Sequence, residues 1–205
     1  MSHLEHKTGR VSVAVSLRDD YAKAAVPRGV AATYYSVAGR RRKAIETHSG
    51  YHVFERLAPG PLVLTIESDR YLTESRTVTL PRPAAASPEL QVVLKPNWLY
   101  PFPAGATLIR GRVEDAEGPV EGVRVRLVNT PVESRTDPTG HFVLYYGPLT
   151  EDALTGSGLV KARDGTTTFR LRLTHAQYAA RTLSISNIHE RSTFTLSTPV
   201  HLTKH

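Results

Sequence analysis

The sequence predicts an all-β protein built as two small antiparallel β-sandwich modules in tandem. Three observations predict it: apolar residues recur at every second position, turn residues interrupt them at roughly ten-residue spacing, and a segment in the second half has a weaker copy in the first.

The alternation names the strands. Val11, Val13, Val15 and Leu17 alternate with Ser12, Ala14 and Ser16, and Leu62, Leu64 and Ile66 oppose Thr65 and Glu67. Val123, Val125 and Leu127 alternate with Arg124 and Arg126, as Phe169, Leu171 and Leu173 do with Arg170, Arg172 and Thr174. One dry face and one wet face is what an antiparallel sheet shows when it packs on a partner sheet. Helix signals are thin: Ala84–Ala86 is hemmed in by Pro83 and Pro88, and Asp20–Ala25 is too short to stand alone.

The repeat sets the layout. Ser49–Phe54 aligns with Thr139–Leu144, and Leu62–Glu67 with Phe169–Thr174. Asp69–Tyr71, Thr77–Leu80 and Leu90–Leu94 then align with Ala176–Tyr178, Thr182–Ile185 and Phe194–Leu196. The reading is an N-terminal tail, 1–10, a first sandwich, 11–96, a Pro/aromatic linker, 97–106, and a second sandwich, 107–205, with a long polar loop at 147–167. Tyr71 and Tyr178 hold matching places, and the expectation for each is a ring packed under a loop with its hydroxyl bonded to backbone.

Charge and composition remove several function classes. The formal charge is +7, and residues 1–96 carry 14 Lys and Arg against 9 Asp and Glu, whereas residues 97–205 carry 12 against 10. The one dense cluster is Arg40-Arg41-Arg42-Lys43. No aromatic interleaves it, so nucleic acid is not an expected partner. A solvated hairpin tip is the plain reading, and contact with phosphate or an acidic partner is the alternative. The absence of cysteine excludes disulfides, thiolate zinc sites and thiol nucleophiles. No apolar run reaches membrane-spanning length. The opening decapeptide lacks a signal-peptide core, so a cytoplasmic protein is expected, or one carried out in a released particle.

No segment spells out catalysis. There is no nucleophile elbow, phosphate-cradling loop or dinucleotide fingerprint, and no cofactor is expected. His48 and His52, and His201 and His205, are spaced four apart, yet no third ligand stands at a fitting distance. Surface histidines and an unordered terminal pair are the expectation. The adjacent carboxylates Asp19-Asp20 and Glu151-Asp152 read as solvated loop residues, with calcium in the 147–167 loop as the minor alternative.

Between the modules, Pro96, Pro101 and Pro103 favour an extended, stiff backbone. Trp98, Leu99, Tyr100 and Phe102 give this stretch more apolar surface than a free linker tolerates. They are expected to pack in a groove between the modules, or, if exposed, to serve as a docking strip.

At Gly111-x-Val113, Pro119-Val-x-Gly-Val123-x-Val125 and Thr136-Asp-x-x-Gly140-x-Phe142, the chain resembles the carboxypeptidase regulatory-like module, a transthyretin-like Greek-key sandwich. The first copy departs from it, since Thr47-His48-Ser49-Gly50 lacks the aspartate, and the second copy lacks the Pro-Gly turn that Leu57–Pro61 supplies in the first. The resemblance implies an all-β fold of two Greek-key sandwiches, transthyretin-like or immunoglobulin-like. It also implies a module that does not itself catalyse. The two-module layout is similar to accessory proteins of phage-tail-like contractile injection particles.

The function that follows is that of a structural subunit docking onto other proteins in a larger assembly. A carbohydrate- or surface-binding module, with Trp98, Tyr34, Tyr35, Tyr145 and Tyr146 as platforms, is the alternative, and an accessory domain of a hydrolase is the third. Candidate partner-binding residues are Trp98, Tyr100 and Phe102, Arg40, Arg41 and Arg42, and Glu151 and Asp152.

Overall fold

The computed structural model describes residues 11–37, 40–80, 89–146, 160–161 and 166–205, and in these the chain is all-β. It divides into two compact units, Met1–Lys95 and Pro96–His205.

In the first unit, β1 (Val11–Asp19) is the central organiser. Its alternation buries Val13, Val15 and Leu17 and turns Ser12, Ala14 and Ser16 to the other face. It pairs antiparallel with β5 (His52–Glu55) and parallel with β8 (Glu89–Leu94), and β4 (Ile45–Glu46) closes that sheet beside β5. The second sheet runs β3 (Arg40–Lys43), β2 (Ala31–Val37), β6 (Gly60–Ser68), β7 (Glu74–Leu80), all antiparallel. Leu64 and Ile66 of β6, Val78 and Leu80 of β7 and Tyr35 of β2 belong to the dry interior.

Strands β3 and β4 are one run of chain, interrupted only by Ala44. It leaves one sheet and joins the other, so the same segment forms an edge of both.

The second unit has the same order of pairing. Strand β9 (Thr107–Glu114) lies between β12 (His141–Tyr146), antiparallel, and β16 (Thr193–Thr195) and β17 (Val200–His201), both parallel. The facing sheet runs β11 (Glu133–Arg135), β10 (Arg124–Leu127), β14 (Thr166–His175), with β15 (Tyr178–His189) and β13 (Val160–Lys161) both pairing with β14. Ile109, Val113, Val125, Leu127, Phe142, Phe169, Leu171 and Leu173 of the two sheets form its core. All are almost wholly buried, so truncating Leu171 to alanine costs about 2–5 kcal/mol by lost transfer energy and a cavity.

The 147–167 stretch is not one loop. Val160 and Lys161 pair with Thr168 and Thr167, and β14 already begins at Thr166. Residues 147–159 lie outside the described residues, and so does the alanine run 84–86. The C-terminus, expected to be unordered, is fastened. Leu202 N–H donates to Glu114 O (2.9 Å) and Ala179 N–H to Thr203 O (3.0 Å).

Candidate functional site

Turn chemistry first shows which polar residues are already engaged. Asp19 ends β1, and its Oδ1 accepts the N–H groups of Tyr21 (2.7 Å) and Ala22 (2.9 Å). Asp115 follows β9, and its Oδ1 accepts from Glu117 (2.8 Å) and Gly118 (3.1 Å). The second oxygen of each takes a tyrosine hydroxyl: Tyr71 to Asp19 Oδ2, and Tyr178 to Asp115 Oδ2, both at 2.7 Å. Each module thus carries an aspartate that shapes a turn and holds a tyrosine.

This corrects two expectations. The tyrosine hydroxyls bond carboxylates rather than backbone, because a strand-end aspartate stands opposite each ring. Asp19, read as a solvated loop residue, is 3% exposed, and only Asp20 of the pair faces water, beside Lys23 (2.7 Å). The Tyr178 hydroxyl, foremost, and the Glu117 N–H hold the Asp115 carboxyl below its ordinary range. Hydrogen bonding to Asp115 in turn raises Tyr178. Lys204 completes the cluster, 2.7 Å from Glu117 and 3.5 Å from Asp115, and its own pKa is raised, chiefly by Glu117.

A second pair of turns matches. Asp137 Oδ1 accepts from the Thr139 N–H (2.9 Å) and the His141 N–H (3.0 Å), and Gly140 closes the turn at φ +77°. In the first unit Thr47 stands in for the aspartate. Its Oγ1 accepts from Tyr51 N–H (3.0 Å), and Gly50 sits at φ +82°.

The candidate linker residues form a platform on β9 and β12. The stretch is not extended: Leu99 N–H reaches Asn97 Oδ1 (2.8 Å), Tyr100 N–H reaches Asn97 O (3.2 Å), and Ala106 N–H reaches Pro103 O (3.1 Å). A side-chain cap at Asn97 and prolines fixed at turn geometry replace the stiff rod with successive tight bends. Trp98 lies against His141, ring centroids 4.7 Å apart, and Phe102 lies between Tyr100 (4.6 Å) and Tyr145 (5.6 Å). Arg110 of β9 projects under them, its guanidinium 5.0 Å from the Trp98 ring and 5.8 Å from that of Phe102. Its Nη1 donates to Trp98 O (3.3 Å), and burial lowers its pKa from the ordinary value. Trp98, Tyr100 and Phe102 are half-buried, and Leu99, 70% exposed, is the residue of this strip that faces outward.

The basic cluster is a strand rather than a hairpin tip. Arg40–Lys43 is β3, paired Val37↔Arg40 through Tyr34↔Lys43, with all four residues exposed. An aromatic does lie beside it: Arg41 covers the Tyr34 ring at 3.6 Å and pairs with Glu67. Sequence order hid that contact because it runs across the hairpin. Glu151 and Asp152 lie outside the described residues.

The histidines disperse. His48 faces Arg28 (3.4 Å), His201 faces Glu114 (3.2 Å), and His52 is buried within the first unit, where burial lowers its pKa. His52 is thereby a correction, since a surface residue was expected. Among the described residues, no three His, Asp or Glu side chains gather as a metal ion would need. No described helix is long and apolar enough to cross a membrane.

No family model matches the chain, and comparison with curated proteins finds no match. Among solved structures, it is similar to the minor pilin of Streptococcus agalactiae at 14% identity, over 95% of this chain and 97% of that one, with a TM-score of 0.32. A DUF3823 family protein from Bacteroides ovatus is similar at 12% identity over 85% and 97%, with a TM-score of 0.31. A cohesin–X-dockerin complex from Acetivibrio cellulolyticus is similar at 17% identity with a TM-score of 0.33, over 48% of this chain and 58% of that one. Scores this low carry no argument about function. What the strands and cores themselves establish is the general class, an all-β protein of β-sandwich type.

Proposed function

We propose that the chain is a non-catalytic structural and interaction protein that docks onto other proteins within a larger assembly. The observation that carries this reading is the use made of its polar clusters. Asp19–Tyr71, Asp115–Tyr178–Lys204 and the Asp137 turn each fasten strands or turns, while outer sheet edges and an exposed Leu99 remain for contact.

The finer reading is a subunit of a phage-tail-like contractile injection particle, made in the cytoplasm and carried in the particle. It is supported by the layout of two small β-units joined at a Pro/aromatic segment that resembles such accessory proteins, with modules like the carboxypeptidase regulatory-like one. The carbohydrate-binding alternative loses support. Tyr35 is packed edge-on against Phe54, Tyr34 is covered by Arg41, and Trp98 is shared between His141 and Arg110, which leaves none of the three as a bare platform.

Affinity capture of tagged protein from native host lysate, with mass spectrometry and sizing of the eluate, tests the reading. Recovery in a high-mass fraction with sheath-, tube- or baseplate-like proteins supports it. A lone monomer overturns it.

A further inference from the structure

From the basic edge strand β3 we infer a docking site for one kind of partner, an extended acidic peptide segment that adds a strand beside Arg40–Lys43. The inference rests on the interaction reading above and names the chemistry of the partner.

The backbone is the first part of the argument. Strand β3 is outermost in its sheet, and among the described residues nothing pairs with its outer side. Ala44 N–H donates to Thr33 O (2.8 Å). Bonded pairs alternate along an antiparallel ladder, so Arg42 and Arg40 also bond toward β2. Arg41 and Lys43 consequently turn their N–H and C=O groups to the free edge. That edge offers two donors and two acceptors in strand geometry.

Side chains are the second part. Arg40 and Arg42 stand on one face of the strand, Arg41 and Lys43 on the other. Arg41 is engaged by Tyr34 and Glu67. Among the described residues, the side chains of Arg40, Arg42 and Lys43 make no hydrogen bond or ion pair. Uncompensated positive charge therefore borders the free edge on both faces.

Cations on an edge ordinarily keep other edges away. Here the same residues select. A second copy of β3 would set cation against cation, and a neutral strand would leave three charges uncompensated. A phosphate or sulfate polymer satisfies the charge but only accepts hydrogen bonds, so the Arg41 and Lys43 carbonyls gain nothing from it. An acidic strand matches both the charges and the backbone.

The test uses the full chain and a short labelled peptide alternating Glu and Thr, with heparin and single-stranded DNA as competing probes. Binding is read by fluorescence anisotropy, and the Arg41 and Lys43 amides by hydrogen exchange. The expected result is salt-sensitive peptide binding that slows exchange at those two amides, weakened about tenfold or more by R40E/R42E. R40K/R42K retains most of the binding. An unchanged thermal transition shows that the reversed variant is folded, since its side chains are exposed. Absence of peptide binding to the wild-type chain overturns the inference, as does binding that leaves both amides unprotected. Tighter binding of heparin or DNA than of peptide would reassign the edge to polyanions. If R40E/R42E still captures the same assembly proteins from lysate, the interaction reading stands and this one fails.

Discussion

The Tyr178 hydroxyl donates to Asp115 Oδ2 at 2.7 Å across 63 residues of sequence, and Tyr71 repeats the bond to Asp19 at the same distance across 52. In each unit the bond joins the end of the central strand to a tyrosine lying just before, or at the start of, a strand of the opposite sheet. Tyr71→Phe removes a buried hydrogen bond to a charged acceptor and is expected to cost about 1–3 kcal/mol. Chemical denaturation followed by circular dichroism measures it. A neutral outcome would mean that the hydroxyl only fills space.

The Asp115 bond also makes a pH prediction. A carboxyl held below its ordinary value of 3.8 contributes stability that is present above that value and lost as pH falls through the lowered one. Removing the Tyr178 hydroxyl, the largest cause of the lowering, shrinks the difference between folded and unfolded states. Tyr178→Phe is therefore expected to flatten the acid limb of the second unit's stability curve, read as denaturation midpoint against pH.

His52 predicts a dependence nearer neutrality. Burial lowers its pKa most, Glu46 opposes this, and Lys43 adds to it. With the folded value below the ordinary 6.5, the unfolded chain binds the proton first. The first unit should lose stability as pH falls below 6.5, levelling off once pH passes the lowered value. A His52→Leu variant should abolish that slope in urea titrations at stepped pH. Persistence of the slope would assign it elsewhere.

Two glycines at equivalent turns should respond unequally to alanine. Both Gly50 and Gly140 have positive φ, worth about 1–2 kcal/mol of strain for any other residue. Around Gly50 an added Cβ meets nothing within 4 Å, whereas at Gly140 it would run into the Val113 carbonyl and stand 3.1 Å from Pro119 Cβ. Gly140→Ala should cost clearly more than Gly50→Ala, by about 1 kcal/mol or more, as overpacking adds to strain. Equal losses in thermal denaturation would show that the β9 end yields freely.

Trp98 is the only tryptophan, so its emission reports on the platform. Arg110→Ala removes the cation beneath it and the hydrogen bond to its carbonyl. The second unit should lose about 1 kcal/mol, with the emission shifted to the red as water reaches the ring. Unchanged emission would place Arg110 outside the environment of the ring.

Much of this was legible in the sequence, and the limits have physical reasons. Alternation placed β1, β6, β10 and β14 because period-2 burial is a local signal, and the turn ending at Gly140 was legible from the Thr136-Asp-x-x-Gly140-x-Phe142 motif. Tyr71 and Tyr178 were matched by spacing, but their partners were not, since a buried Asp19 next to an exposed Asp20 looks like any loop pair until a residue 52 positions away arrives. Strand β3 was hidden for a related reason. Four consecutive cations carry no apolar alternation, and their strand exists because Tyr34 and Ser36 lie across the hairpin. The proline-rich stretch misled because proline fixes φ without deciding whether the next residue extends or turns.

The parallel pairing of each unit's first and last strands has a mechanical consequence. Strand β1 lies against β8 over six residue pairs, Ala14↔Glu89 to Asp19↔Leu94, and β9 lies in the same sense against β16 and β17. Tension applied at the two ends of a unit pulls such neighbours past each other along their length. Their bonds are loaded together in shear rather than peeled one at a time, and rupture under force is governed by the unfolding rate rather than by equilibrium stability. A pull on a chain with two such pairings in series is therefore expected to meet each of them in shear.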